Sequence, residues 1–394
     1  MNALKWSAWA QTPLLVLGIL CMSAARAETI DPGSNPLEVR SEDGASRVRL
    51  LGRLFYDLGD IDADVAKMSA RDQVESARLG LGGAVAHDFD FLLQYEMANA
   101  FRGDSPRATL KDAWIGYSGL KSWNFRIGQF LEPFSLEELT SSRYTTFMER
   151  ALPNALVPEY HVGGSISYRG KGWQATAGYF DRSIGPGRND YGSGYAARVT
   201  ADPIHGKGRL LHVGVSAAYR NPDDNTVRFR ARPETGLTDV RLVNTATLHD
   251  VEDYTTEGIE TAWVHGPFSL QAEYMLNQVN RYNGRADVGF RGGYVYASWF
   301  LTGESRAYSE KRGVFVGIKP RHRYGAVEVA LRHSTLDLND TAVAGGIERD
   351  WTLGLNWYVN QSVRLMTNAV WVNSSRRGVG DDPRILQARV QYNF

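Results

Sequence analysis

The chain has 394 residues, of which 43% are hydrophobic and 22% charged, with 44 basic residues against 44 acidic ones and one cysteine, Cys21. Balanced charge argues against a polyanion such as nucleic acid as partner. A lone cysteine excludes disulfides within the chain and thiolate metal clusters.

Residues 1–27 carry Lys5, an apolar run from Leu14 to Met22 and then Ala25-Arg26-Ala27, which fits a signal-peptidase site. The run is too short to span a bilayer and polar, acidic residues follow it, so the segment reads as an export signal cleaved after Ala27. Cys21 lies inside it, preceded by Leu20 where a lipidated cysteine needs a small residue. Removing residues 1–27 from 394 leaves 367; losing Lys5 and Arg26 leaves 42 basic against 44 acidic residues, a formal charge of −2. Residues 28–46 form a polar lead-in. No Pro-rich, Ser-rich or charged linker divides residues 47–394, which read as one domain.

Beyond the leader no apolar stretch approaches the roughly 18 residues of a membrane helix. Strand patterns of about ten residues recur instead, with aromatics near their ends. The pattern predicts sixteen strands, near 47–58, 74–86, 90–100, 108–118, 123–130, 161–169, 173–181, 193–202, 209–220, 254–264, 268–278, 290–301, 324–334, 348–359, 363–373 and 384–394. In the first, Val48, Leu50, Leu54, Tyr56 and Leu58 face one way and Arg47, Arg49, Arg53 and Asp57 the other. An arginine at mid-bilayer costs roughly 2–4 kcal/mol, so these must face water. The last strand alternates Leu386, Ala388, Val390, Tyr392 and Phe394 against Gln387, Arg389, Gln391 and Asn393. An exported chain ending on an aromatic after such alternation resembles the terminal signal of outer-membrane barrels.

The expected fold is therefore all-β, a transmembrane antiparallel β-barrel of about 16 strands, wide enough for an aqueous lumen. Short turns at 87–89, 119–122, 170–172, 265–267 and 360–362 form one rim, expected to be periplasmic, and longer loops form the external rim. Residues 302–323 fall on the periplasmic side by parity yet are far too long for a turn; either they fold on themselves or the count is off by a pair near 314–318. Alternation places Arg78, Arg126, Arg198, Arg332, Arg364 and Arg389 in the lumen, with Glu96, Asp112, Glu260, Glu273 and Glu328 among them. Most read as wall charges pairing across the barrel.

Two loops stand out. Residues 131–160 contain Leu136, Phe147, Met148, Leu152, Leu156 and Val157, costly to expose, which predicts that the loop folds into the barrel and narrows it. Its charged members are Glu132, Glu137, Glu138, Arg143, Glu149 and Arg150; packing over a neighbouring subunit is the alternative. In residues 221–253, Arg228, Arg230 and Arg232 share one side of an extended segment, with Arg241 further on. Guanidiniums about 6.5–7 Å apart repel one another unless something anionic lies beside them. Arginine forks suit phosphate and carboxylate oxygens, and rows of Arg and Lys line anion pores, so the row reads as an anion path or as a solvated charged loop.

Gly128-Gln-Phe-Leu-Glu-Pro-Phe-Ser-Leu-Glu-Glu-Leu-Thr-Ser-Ser142, Phe147-Met-Glu-Arg-Ala-Leu-Pro153, Arg228-Phe-Arg-Ala-Arg-Pro-Glu-Thr235, Leu301-Thr-Gly-Glu-Ser-Arg306 and Leu353-Gly-Leu-Asn-Trp-Tyr358 resemble the phosphate-selective porin O and P family. The resemblance covers nearly all of the mature chain. It implies a sixteen-stranded homotrimeric outer-membrane porin without cofactors, in which the third loop forms the constriction and an arginine ladder leads small anions, notably phosphate or polyphosphate, toward it. Carried over, the ladder falls on Arg228, Arg230 and Arg232, with Arg241 a weaker match. Leu131 departs: members often carry Lys there, and losing that cation would weaken anion binding at the constriction.

Alternatives are a general porin for other small solutes and, from another class, an outer-membrane barrel hydrolase, for which no motif is present. Gly80-Leu-Gly-Gly83 lacks the following helix of a dinucleotide loop. The eight histidines are scattered, Arg321-His322-Arg323 has no second ligand at metal spacing, and no metal site is expected.

Overall fold

The computed structural model describes residues 37–103, 108–184 and 192–394. The expected leader at 1–27 and the start of the lead-in lie outside the described residues. Sixteen strands make the barrel. The first eight are β1 (Arg47–Asp62), β2 (Gln73–Val85), β3 (Phe89–Glu96), β4 (Thr109–Tyr117), β5 (Trp123–Leu131), β6 (Tyr160–Gly170), β7 (Trp173–Phe180) and β8 (Gly192–Gly206). The others are β9 (Arg209–Pro222), β10 (Val251–His265), β11 (Phe268–Arg281), β12 (Val288–Phe300), β13 (Ala326–Asp340), β14 (Val343–Tyr358), β15 (Val363–Arg376) and β16 (Arg384–Asn393). All sixteen expected strands are present.

Sequence neighbours pair antiparallel all the way round, and β1 pairs with β16 from Arg53↔Asn393 to Asp62↔Arg384. Closure leaves no edge, so every strand finds backbone partners without water. Gly52 and Phe394 exchange backbone hydrogen bonds of 3.0 Å in both directions. The Phe394 ring lies against Gly52, 2.1 Å from where a Cβ would stand, so a larger residue there would displace the ring from this seat. Short ribs at Glu38–Arg40 and Val379–Asp381 extend the sheet at its rims.

Period-two alternation gives each strand a wet and a greasy face. In β1, Phe55 and Asp57 are buried inside while Leu54, Tyr56 and Leu58 are exposed outside. Outward aromatics gather in two bands: Trp263, Phe268, Trp299, Trp357 and Tyr392 toward the rim holding the chain's end, Tyr195, Tyr219, Trp351 and Trp371 toward the other. No helix among the described residues is long and apolar enough to cross a membrane. The strands span it instead.

Two connections differ from the sequence reading. β13 and β14 run on to Asp340 and back from Val343, replacing an expected long loop by a two-residue turn. Leu336, Leu338 and Val343 of this extension point inward and join an apolar cluster with Phe229, Ala231 and Val243, so burial lengthens the hairpin. Residues 301–325 fold on themselves, Ala307–Ser309 pairing with Val314–Val316 as a separate hairpin. That hairpin stands inside the barrel: Arg198 Nη2 donates to Gly313 O at 2.9 Å, and Tyr308 Oη is hydrogen-bonded to His212 Nδ1 at 2.7 Å.

Candidate permeation path

Residues 132–159, between β5 and β6, fold into the lumen. Leu136, Phe147, Met148, Leu152, Leu156 and Val157 are all buried against the inner wall, which answers the question of what would cover them. The turn Leu136–Leu139 is capped by Ser135 Oγ, which accepts from Glu138 N, while Glu273 of β11 accepts from Leu136 N at 3.0 Å and Glu137 N at 2.7 Å. A carboxylate at this turn's N-terminus satisfies donors that water would otherwise have to reach.

Four of the loop's carboxylates are paired, three of them to the wall and one within the loop. Glu132 meets Arg220 and His161, Glu137 meets Arg332 at 3.3 Å, Glu138 meets Arg150 at 2.9 Å and Glu149 meets Arg389 at 2.9 Å. Arg364 donates to Thr145 O at 2.7 Å and Thr146 O at 3.1 Å. Buried pairs of this kind fix geometry more than they add stability. Arg143 is different: its guanidinium sits 5.4 Å from the Tyr144 ring centroid, and no carboxylate lies within ion-pair distance among the described residues.

The loop between β9 and β10 also lies inside, not in solvent. Arg230–Ala231 pairs with Val243–Asn244 as a small hairpin. Phe229 and Ala231 pack on Phe290, Leu336 and Leu338 of the inner wall, which turns the alternate residues Arg228 and Arg230 outward into the open vestibule, with Arg232 half-buried. Glu234 is the fastener, taking Arg332 Nη2 at 2.5 Å and Ser334 Oγ at 2.5 Å. Arg228 donates to Asn244 Oδ1 at 2.9 Å, and Arg232 pairs with Asp239 at 2.7 Å. Among the described residues Arg228, Arg230 and Arg241 have no carboxylate within 4.0 Å. Burial, then the fields of Arg232, Arg230 and Arg228, push the Arg241 guanidinium down to about 10. Burial works against the charge of Asp239, but Arg232 and Arg71 outweigh it and hold that carboxyl below its ordinary value.

Beside the constriction loop, β1 and β2 present Arg53 and Arg78. Both reach Glu96, at 3.7 and 3.4 Å, and Arg53 also donates to Ser142 Oγ of the loop at 2.6 Å. Arg126 stacks on Trp114, 4.0 Å from its ring centroid. Toward the terminal rim, Arg312 on the inserted hairpin feels Arg143 and Arg49; burial first, then those like charges, lower its pKa. Arg376 at the outer end of β15 feels Arg228. Cations thus follow one another from the outer mouth past the constriction.

The expected lumen residues divide into two groups. Arg364 and Arg389 serve as anchors: Arg389 grips Asp57 at 2.6 Å and donates to Met148 O at 2.6 Å. Arg49 is exposed, whereas Arg53 and Arg78 are largely covered beside Glu96 and Arg126 lies under Trp114 and Phe130. Arg312 and Arg376 sit beyond the expected strands, where alternation sorts no faces, and the charged pair Lys111-Asp112 in β4 marks a break in alternation. Two side-chain groups bring three metal-type ligands together: Asp202, His205 and Glu310, and Asp57, Glu75 and Glu149. The second is already served by Arg389 and by Arg102, 2.7 Å from Glu75; the first pins the hairpin tip to the rim, His205 Nδ1 lying 2.6 Å from Glu310.

Residues 48–394 match the family described as phosphate-selective porin O and P. Porin O of Pseudomonas aeruginosa is 28% identical over 404 aligned positions, covering 91% of each chain. Among solved structures, an anion-selective porin from Comamonas acidovorans aligns with a TM-score of 0.57 at 16% identity, covering 89% of this chain and all of that one. The channel DcaP of Acinetobacter baumannii gives 0.57 at 11% identity over 90% and 99% of the two chains. Those identities speak to the barrel alone; the family match spans the barrel and both inward loops, so the chain belongs to the phosphate-selective porin O and P family and is an outer-membrane porin.

Proposed function

We propose that the barrel passes small anions, phosphate or polyphosphate among them, by passive diffusion. The observation that carries this reading is the row Arg228, Arg230 and Arg241, held over the vestibule without carboxylate partners among the described residues. Like charges gathered at a mutual energetic cost create a potential that concentrates anions at the mouth. The constriction loop adds cations and little free negative charge, because its carboxylates are already paired. No bond is made or broken during passage. The phosphate selectivity in the family's description points the same way.

The leader directs export and is cleaved after Ala27, and the working unit is a homotrimer embedded in outer-membrane lipid. Supporting the trimer, β3 to β7 run only 8–11 residues against 13–16 for β8 to β15. Eight tilted residues rise about 20 Å, short of the roughly 25 Å apolar band, so a neighbouring subunit covers this low wall better than lipid does. The groove on its outer face runs on over β8 and β9 and is lined by Ile115, Ile127, Ile166, Ala177, Ala197 and Ala217.

Reversal potentials of reconstituted channels in a salt gradient test the reading, with phosphate block of the chloride current as a second readout. Cation preference that phosphate does not alter would sink it. A general porin for other small solutes is the second reading, favoured by Leu131 at the start of the constriction loop; it predicts chloride selectivity without phosphate block.

A further inference from the structure

We propose that Arg376, at the outer end of β15, completes with Arg228 a two-sided capture site for oxyanions at the outer mouth, one guanidinium borne by the wall and the other by the inserted loop. This rests on the anion reading above and names the place where an incoming phosphate is first gripped.

The chain turns back at once after β15. Arg376 pairs with Val379, and Arg377 and Gly378 make a two-residue turn with φ of 54° and 79°, the left-handed pair that a tight hairpin requires. Arg376 therefore stands on a closed hairpin, held by the sheet, and not on a long loop. It shares the inner face of β15 with Val370, Val372 and Ser374, all buried. Leu242 of the arginine loop packs on Val370 and Val372, so that loop lies against the same wall whose tip carries Arg376. The neighbouring strand offers Gly346, with φ of 96°, and the stem of Arg376 crosses it, its Cβ lying 2.9 Å from where a Cβ on residue 346 would stand.

Neither guanidinium is neutralised by a neighbour. The charges acting on Arg376 are those of Arg377 and Arg228, both cations, and among the described residues no carboxylate lies within ion-pair distance of it. Its Nε is buried without a hydrogen-bond partner. The carboxylates on the returning side of the hairpin are engaged elsewhere: Asp381 accepts from Val65 N at 3.1 Å and Ala66 N at 2.8 Å, and Asp382 accepts from Asn373 Nδ2 at 3.1 Å. Arg228 donates through Nε to Asn244 Oδ1 at 2.9 Å, which orients its fork and leaves both Nη groups without a protein partner among the described residues. Two like charges held in one another's field from separate elements repel less when an anion lies between them. Two guanidinium forks also match the oxygens of a tetrahedral oxyanion from two sides.

The test uses the full-length channel in planar bilayers, comparing Arg376→Gln, Arg376→Lys, Arg228→Gln and the double variant Arg228→Gln, Arg376→Gln with Arg377→Gln, which removes the same charge from the exposed turn beside the site. Losing one guanidinium beside an anion in a watery mouth is worth about threefold in its binding. Half-block of the chloride current should need about threefold more phosphate in Arg376→Gln and in Arg228→Gln, and no more than that in the double variant, because either loss already opens the grip. Arg376→Lys keeps the charge but not the fork, so its chloride-to-potassium ratio should hold while its half-block concentration rises. Arg377→Gln should block as wild type does. Wild-type conductance in molar salt, where charges are screened, shows that the variants fold. A wild-type half-block in Arg376→Gln, or no phosphate block in wild type, overturns the site and leaves the anion reading standing. So does a rise of about ninefold in the double variant, which is what two independent charges produce. An equal rise in Arg377→Gln assigns the effect to mouth charge at large and overturns the site too. A wild-type channel that prefers cations overturns the anion reading itself.

Discussion

Arg332 of the barrel wall lies 2.5 Å from Glu234 of the arginine-bearing loop and 3.3 Å from Glu137 of the constriction loop, so one guanidinium joins both inward loops to β13. Its guanidinium also stacks 4.3 Å from the Phe147 ring centroid.

Replacing Arg332 by Met therefore strands two buried carboxylates at once. Breaking a buried pair from one side costs about 3–5 kcal/mol, and here the strain falls on the loops, not on the backbone ladder of the barrel. The expected outcome is a folded barrel with larger, noisier single-channel conductance and a lower urea midpoint. The compensated variant Arg332→Met, Glu137→Gln, Glu234→Gln should recover most of the midpoint. A quiet channel of wild-type conductance in the single variant would show that the loops hold without this contact.

Changing Arg228, Arg230 and Arg232 together to Ala removes the vestibule potential while Phe229 and Ala231 keep the loop seated on the wall. Anion preference and the phosphate block should both weaken, and the dependence of conductance on ionic strength should flatten, because screening has less to screen. An unchanged reversal potential would remove the ladder from the permeation path.

Arg241 sets the pH dependence of the outer mouth. Its folded value, about 10, lies below the ordinary arginine value, so its protonated form is disfavoured in the folded state. That handicap is fully present below about pH 10 and shrinks as pH rises beyond it. Selectivity should accordingly stay flat from pH 6 to 9 and decline near pH 10. Arg241→Gln should unfold at a higher temperature than wild type at neutral pH while passing anions less selectively. A lower unfolding temperature would mean that its contacts outweigh the repulsion.

The inserted hairpin narrows the path from the terminal rim. Deleting residues 307–316 and bridging the ends with glycines should raise single-channel conductance while the sixteen-strand ladder and the outer mouth stay intact. Circular dichroism for the fold and current amplitude for the pore separate those effects; unchanged amplitude would place the limiting cross-section elsewhere.

The strand plan was legible because a membrane wall imposes one rule on every strand, and Arg49, Arg53 and Asp57 against Leu54, Tyr56 and Leu58 obey it. The apolar content of residues 131–160 likewise predicted an inward fold. What escaped was decided by contacts distant in sequence. Nothing local distinguishes Asp340–Val343 as a tight turn; Phe229, more than a hundred residues away, buries the flanking Leu336 and Leu338. The direction of Lys111 depends on Gln129, on the next strand, gripping carbonyls that carry no side-chain signature. Glu132, Glu137, Glu138 and Glu149 looked like pore charges, yet each is spent on an arginine, only one of them, Arg150, in the same loop.

The seam between β1 and β16 has a temporal meaning. Asp57 and Arg389 face each other across it, 332 positions apart, so the first strand of the barrel waits for the sixteenth before either edge is satisfied. Every other neighbour can zip as it emerges; this pair cannot, and loop closure over that span makes the final step slow. Until then the chain carries two open strand edges and a greasy outer face through an aqueous compartment, a state prone to mispairing. The terminal Phe394, packed on Gly52, is thus the part that converts a long-lived, vulnerable ribbon into a sealed wall.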